Sequence, residues 1–465
     1  MTTAAAANTA QSTQSTQGTH GVGGGHGTDG TSDAPDAPDA PEAPHGPGTL
    51  GLAEGTAMYV GAVLGPGVMS LPALGIAAAG PGCLIAWAAL LVLSVPVAVC
   101  FATLGGRHPD GGGISAFVNR AFGPGAAAAT GWVFYAAVPV GILAGALVGA
   151  QYVADAAGLG GAGSRYGVAA VLLGIAFAAN YAGLRLSGRL QLVLVAALAA
   201  LLLTAVVVAA PHIQVRRFHP FLPHGEPAIG RAALVVYYAF TGWEAAVHLS
   251  AEFRNPGRHL LLATKLTLAV VGVLYLSLVV TTIGVLGDSA ANSPAPLTEL
   301  LRFGLGSSAQ PITTAVAVLL TVGALNTFIA GAARLGAALA RGGSAPRLLA
   351  RASSAGRVPY VSLGVQVVGT SVLTAVAAVW GVDLRTLLSL TSVMLGAVTL
   401  AGLAAALRLL TGHPVLKAGA GVGAAANVVV LGFGQWMVVA PVVAASVGVV
   451  ARRLFGGGRV LRSGR

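Results

Sequence analysis

From Leu50 to Leu454 the chain alternates long apolar stretches with short polar breaks. A bilayer core of roughly 30 Å needs about 20 apolar residues in a helix. Stretches of that kind fall at 50–79, 81–104, 124–156, 165–183, 188–210, 229–253, 261–286, 311–340, 359–380, 384–410, 415–433 and 435–453. The pattern predicts an all-α, polytopic membrane protein of about 12 transmembrane helices. The last two spans are at the short limit. Basic residues flank them on both sides, Arg408 and Lys417 before and Arg452, Arg453, Arg459, Arg462 and Arg465 after, and both groups favour the same membrane face. An even number of crossings between them follows.

Two spans break their own helical pattern. In the first, AVLGPGVMSLP, Pro66 supplies no backbone N–H and disfavours helix at the preceding residue, and Gly65 and Gly67 bracket it. A lone proline would only kink a membrane helix, whereas the Gly-Pro-Gly cluster predicts unwound chain. In the sixth, YYAFTGWEAAVHLSAEF, Thr241 and Glu244 have the spacing of a capping box, which starts a helix. A start signal midway through an apolar stretch implies two half-helices, 229–239 and 243–253. Interruptions at matching positions, five spans apart, predict a five-plus-five inverted repeat with helices 1 and 6 discontinuous. The repeats run over about 50–210 and 229–410, and two extra helices follow at 415–453.

Composition agrees with lipid as the main solvent: 55% of residues are hydrophobic and 8% charged. The net charge of +11 would suggest nucleic acid in a soluble protein. Here its placement says otherwise. With the N-terminus inside, only Arg165, Arg216, Arg217, Arg231, Arg302 and Arg385 of the 25 Lys and Arg fall away from cytoplasmic segments. The positive-inside rule thus predicts a multi-pass protein of the inner (plasma) membrane with both termini cytoplasmic. Residues 1–49, with a DAPDAPDAPEAP run and no Lys or Arg, read as a disordered cytoplasmic tail, and 456–465 as a basic one. His20, His26 and His45 belong to the composition of that first tail, and no metal or cofactor is expected. Cys83 and Cys100 lie about 25 Å apart on one helix, too far to pair. The long first apolar stretch has no basic segment before it and reads as a span, not a cleaved signal.

An interrupted membrane helix frees backbone groups that lipid cannot satisfy. N–H groups of the half-helix beginning near Val68, flanked by Gly65 and Gly67, suit a carboxylate. Carbonyls released at Ala62, Val63, Ala239 and Phe240 suit an ammonium group. With Thr241, Gly242 and Trp243 they describe a site for an α-amino acid whose wall is apolar. No Asp, Lys or Arg lies near the middle of any span, which favours neutral, hydrophobic substrates.

Glu244, His248 and Glu252 share one face of the sixth span. Ionisable residues at membrane depth are candidates for substrate or proton handling, and Glu244 and His248 lead. Their structural alternatives are the capping-box carboxylate for Glu244, packing for His248 and a partner of Arg254 for Glu252. Gly141, Gly145 and Gly149 form overlapping G-x-x-x-G units, read first as close packing and second as cavity lining. Asn326 and Thr327 are read first as hydrogen-bonding across helices and second as lining the path.

Signatures of other chemistry are missing: there is no Walker A, HExxH, GxSxG or paired-cysteine motif, and GLGGAG at Gly158 follows no strand. An enzyme is not expected. The segments AVLGPGVMSLP, GGRHPDGGGISAFVNRAFG and YYAFTGWEAAVHLSAEFRNP resemble those of bacterial amino acid permeases in the amino acid-polyamine-organocation superfamily. Exporters of methionine and branched-chain amino acids are the nearest in likeness. The resemblance implies alternating access, main-chain recognition at both breaks, and secondary transport of neutral amino acids by proton-coupled export. Uptake of amino acids or organic cations is the alternative, followed by a non-transporting sensor and a membrane-embedded enzyme. Some proton-coupled relatives carry a lysine in the fifth helix. Residues 190–210 have none here, so the coupling residue stays open.

Overall fold

The computed structural model describes residues 51–107, 113–183, 188–244, 253–351 and 358–456. The tails at 1–49 and 457–465, and the candidates His248 and Glu252, lie outside the described residues. The chain is helical along its described length, and among the described residues ten helices are long and apolar enough to cross a membrane.

The first predicted span is α1 (Leu52–Val63), a 3-10 turn (Pro66–Met69) and α2 (Leu71–Ala79). Next come α3 (Cys83–Arg107), a short amphipathic α4 (Gly113–Phe122), α5 (Pro124–Ala156), α6 (Ala162–Tyr181) and α7 (Gly188–Ala209). The sixth predicted span opens as α8 (Pro227–Val236) and passes into a 3-10 turn (Tyr237–Phe240). After it stand α9 (Pro256–Leu286), a second amphipathic helix α10 (Pro296–Leu305) and α11 (Ala309–Arg341). The chain closes with α12 (Tyr360–Val379), α13 (Leu384–Leu409), α14 (Pro414–Gly432) and α15 (Val439–Gly456).

Local chemistry explains these boundaries. Proline occupies the first turn of α2, α5, α8, α9, α10 and α14, where a missing N–H costs nothing. Asp383 caps α13 by accepting from the Thr386 N–H at 2.9 Å. Where the residues are described, the predicted spans match the observed helices to within about five residues; most of the second half-helix of the sixth span, 245–252, lies outside the described residues. The short helices α4 and α10 lie outside the predicted spans.

Spans five apart in order pack on one another: α2 on α8, α3 on α9, α5 on α11 and α6 on α12. Among them α5 is the most enclosed, and α14 and α15 are the least. Along α15 the residues Val439, Val443, Val450 and Leu454 face outward, as lipid contact requires. Inside the bundle, Asn180 of α6 donates to Asn326 Oδ1 of α11 at 2.7 Å, the cross-helix reading of Asn326. Thr327 instead bonds within its own helix, to the Gly323 carbonyl at 3.0 Å. Cys83 and Cys100 are free thiols, both fully buried.

Candidate functional site

The first interruption forms where the Gly-Pro-Gly cluster lies. α1 ends at Val63, Gly65 departs from helical geometry (φ −28°, ψ 173°), and Pro66 begins the 3-10 turn. The second half-helix starts at Leu71, not near Val68. The intervening turn directs the Val68 N–H to the Gly65 carbonyl over 3.3 Å, a long bond. From α5, the Tyr152 hydroxyl donates to Met69 O at 2.9 Å and fixes the far end of the turn.

The second interruption is at Thr241–Gly242, and helix resumes at Trp243 and Glu244. The reciprocal capping box does not form. Thr241 Oγ1 turns back to donate to Tyr238 O at 2.8 Å, and Glu244 Oε2 accepts from the Gly242 N–H at 2.8 Å, one residue past the expected N-cap. Gly242 has φ +133°, which L side chains rarely adopt. A Cβ there would stand 2.6 Å from the Ala62 carbonyl oxygen. Only a glycine therefore lets the two interruptions meet main chain to main chain.

A narrow cleft lies between the interruptions and α5, α9 and α11. Ala62, Val63, Gly65, Gly67, Val68, Ala239 and Thr241 border it. So do Gly141 and Gly145, while Gly149 packs instead against Thr321, whose Cβ would stand 2.9 Å from an added methyl. Tyr238 covers Gly67 so closely that a Cβ would come within 2.8 Å of its ring. No Asp, Glu, Lys, Arg or His borders the cleft among the described residues.

Phe240, Trp243 and Glu244 face a different pocket, on the other side of the same interruption. Its remaining walls come from α3, α13 and α14, with Ser94, Thr399 and Asn427 as their polar members. Glu244 is 4% exposed. One oxygen accepts from the Thr399 hydroxyl and the other from Gly242, both neutral donors. Asn427 Nδ2 donates to the Tyr237 hydroxyl at 3.0 Å, and Asn427 Oδ1 is buried without a partner. The structure thus divides the residues that the sequence grouped together, with Gly242 as the partition.

Two of the carbonyls expected to face an ammonium group are engaged within the protein. Tyr275 of α9 donates to Val63 O at 2.8 Å and to Ala239 O at 3.0 Å. Sequence reasoning passed over Tyr275, Thr399 and Asn427. The same rule that singled out Asn326, a polar residue at membrane depth, applies equally to Asn427.

The model of the amino acid permease family matches residues 50–460. The chain belongs to the amino acid permease family. The permease is 32% identical to the uncharacterized amino acid permease YecA of Bacillus subtilis, over 87% of this chain and 95% of that protein. It is 33% identical to the L-methionine/branched-chain amino acid exporter YjeH of Escherichia coli, over 62% of this chain and 68% of that one. The branched-chain amino acid permease BcaP of Bacillus subtilis is 24% identical over 67% of this chain and 71% of its own length. The permease is accordingly a multi-pass membrane protein of amino acid transport.

Proposed function

We propose that the permease exports neutral, hydrophobic amino acids across the bacterial plasma membrane by proton-coupled alternating access. Twelve spans with both termini cytoplasmic, the ten long helices plus the two interrupted ones, complete this reading. Five-plus-five inverted symmetry is supported by the packing of spans five apart. The carrying observation is the cleft where the two interruptions meet: main-chain polar atoms surrounded by apolar and small side chains. A zwitterion's carboxylate would take N–H groups at Gly67 and Val68, displacing the long bond to Gly65. Its ammonium would take carbonyls at Val63 and Ala239. A charged side chain would meet no partner there, whereas an aliphatic or thioether chain would lie against Ile142, Leu325 and Phe328. The relatives named for methionine and branched-chain amino acids support the same substrate class.

Glu244 is the proposed proton carrier. No Lys, Arg or His borders its pocket among the described residues. A carboxyl held by neutral donors can gain and lose a proton without breaking an ion pair, as coupling requires.

Flux of labelled leucine or methionine in proteoliposomes tests the reading. Counterflow into liposomes preloaded with unlabelled substrate is expected, as is accumulation driven by a pH gradient. Binding with no counterflow would overturn transport. Cells fed leucine-containing dipeptides test direction: less retained leucine when the protein is present supports export, and faster uptake of free leucine reverses it.

A further inference from the structure

Tyr275 serves both interruptions with one group. It sits within α9 and is 1% exposed. Val63, which receives its 2.8 Å bond, ends α1, and Ala239, which receives the 3.0 Å bond, belongs to the turn after α8. A phenol carries a single O–H. The two carbonyls therefore share one hydrogen, and each keeps unused accepting capacity. The ring is fixed edge-on against Trp87 (centroids 5.1 Å apart, planes at 74°) and Phe240 (5.6 Å, 85°), so the hydroxyl cannot swing away cheaply. Tyr275 also borders the cleft.

We propose that the Tyr275 hydroxyl stands in for the cargo's ammonium group and joins the two broken helices whenever the carrier crosses the membrane unloaded. The inference rests on the reading that an amino acid binds in the cleft. An ammonium brings three N–H donors and satisfies both carbonyls by itself, which makes the hydroxyl dispensable in the loaded carrier. Without cargo, the hydroxyl is the donor that keeps Val63 O and Ala239 O from being buried unpaired, a condition that proteins avoid. Tyr275 is thus a positioning residue for one half of the cycle, the return step. Exchange of one amino acid for another omits that step, and net flux requires it.

The test compares wild type with Tyr275→Phe, which keeps the ring and its packing, as full-length protein in proteoliposomes. Labelled leucine is followed in two modes: exchange against internal leucine, and net movement into substrate-free buffer. The expected result is exchange within about threefold of wild type and net flux reduced about tenfold, the scale of leaving a buried acceptor unpaired. Thermal unfolding of the purified proteins gives a second measurement. Saturating leucine should raise the midpoint further in Tyr275→Phe than in wild type, because cargo replaces the lost donor. Equal losses in both flux modes, or no loss in either, would overturn the inference, as would an equal leucine-induced rise in both proteins. If wild type shows no counterflow, the transport reading fails first. The unfolding comparison then still decides what Tyr275 does.

Discussion

The cleft toward α1 and the pocket toward α3, α13 and α14 share one wall, the interruption of the sixth span, yet they use different atoms. The cleft offers main-chain groups and small side chains: Gly65 and Gly145 leave its surface open. The pocket offers side-chain groups, with the Glu244 carboxyl held by Thr399 and a hydroxyl-amide pair at Tyr237 and Asn427. On the proposed reading, the main chain of the cleft recognises what all amino acids share and the Glu244 carboxyl carries the proton. The Gly242 peptide is the physical link between the two, since its N–H bonds Glu244 and its Cα abuts Ala62.

The comparison breaks most completely at that partition. Gly242→Ala imposes a disfavoured φ, worth about 1–3 kcal/mol, and drives a methyl into the Ala62 carbonyl. Transport of every substrate is expected to fall about a hundredfold or more, measured as counterflow; near-normal flux would mean that the two interruptions need not touch. Glu244→Gln acts on the pocket alone. It should leave leucine exchange within about threefold of wild type while abolishing accumulation driven by a pH gradient, because an amide cannot exchange the proton. Loss of both would place Glu244 in substrate binding.

Gly145→Ala sharpens the cleft side. The nearest atoms to the added Cβ are 3.7 Å away, so the helix tolerates it, but the methyl enters the cleft. Discrimination by one methyl-sized volume is worth about tenfold or more. Uptake competition should therefore shift from leucine and methionine toward alanine. The smallest change is expected for Thr399→Val, which removes one hydroxyl donor from the Glu244 carboxyl. Accumulation under a pH gradient should weaken by about threefold to tenfold, with exchange unaffected. An effect on exchange as large as that on accumulation would merge the two chambers.

The spans were legible because lipid imposes a length on apolar segments, and the first interruption because Pro66 and its flanking glycines leave few alternatives. Two amphipathic helices escaped notice although their signals are present. Ile114, Phe117 and Val118 recur at helical spacing in α4. In α10, Pro296 starts the helix, with Glu299 in its first turn and Arg302 in its last. The Thr241–Glu244 spacing identified the place of the second interruption but not its bonding, because Thr241 prefers the carbonyl behind it once Tyr238 is in a 3-10 turn. Least legible were partners from distant spans. Nothing in the local sequence separates Tyr275 from tyrosines that only pack, since its role depends on Val63 and Ala239 arriving from two other helices.

Both native thiols are out of solvent's reach, Cys83 and Cys100 being fully enclosed by neighbouring helices, and the whole chain has no third. The wild-type protein is therefore a silent background for chemical labelling. A single cysteine introduced at Ala324 or Gly65, on the rim of the cleft, would report through maleimide reaction from one membrane face or the other, with no native thiol to remove beforehand.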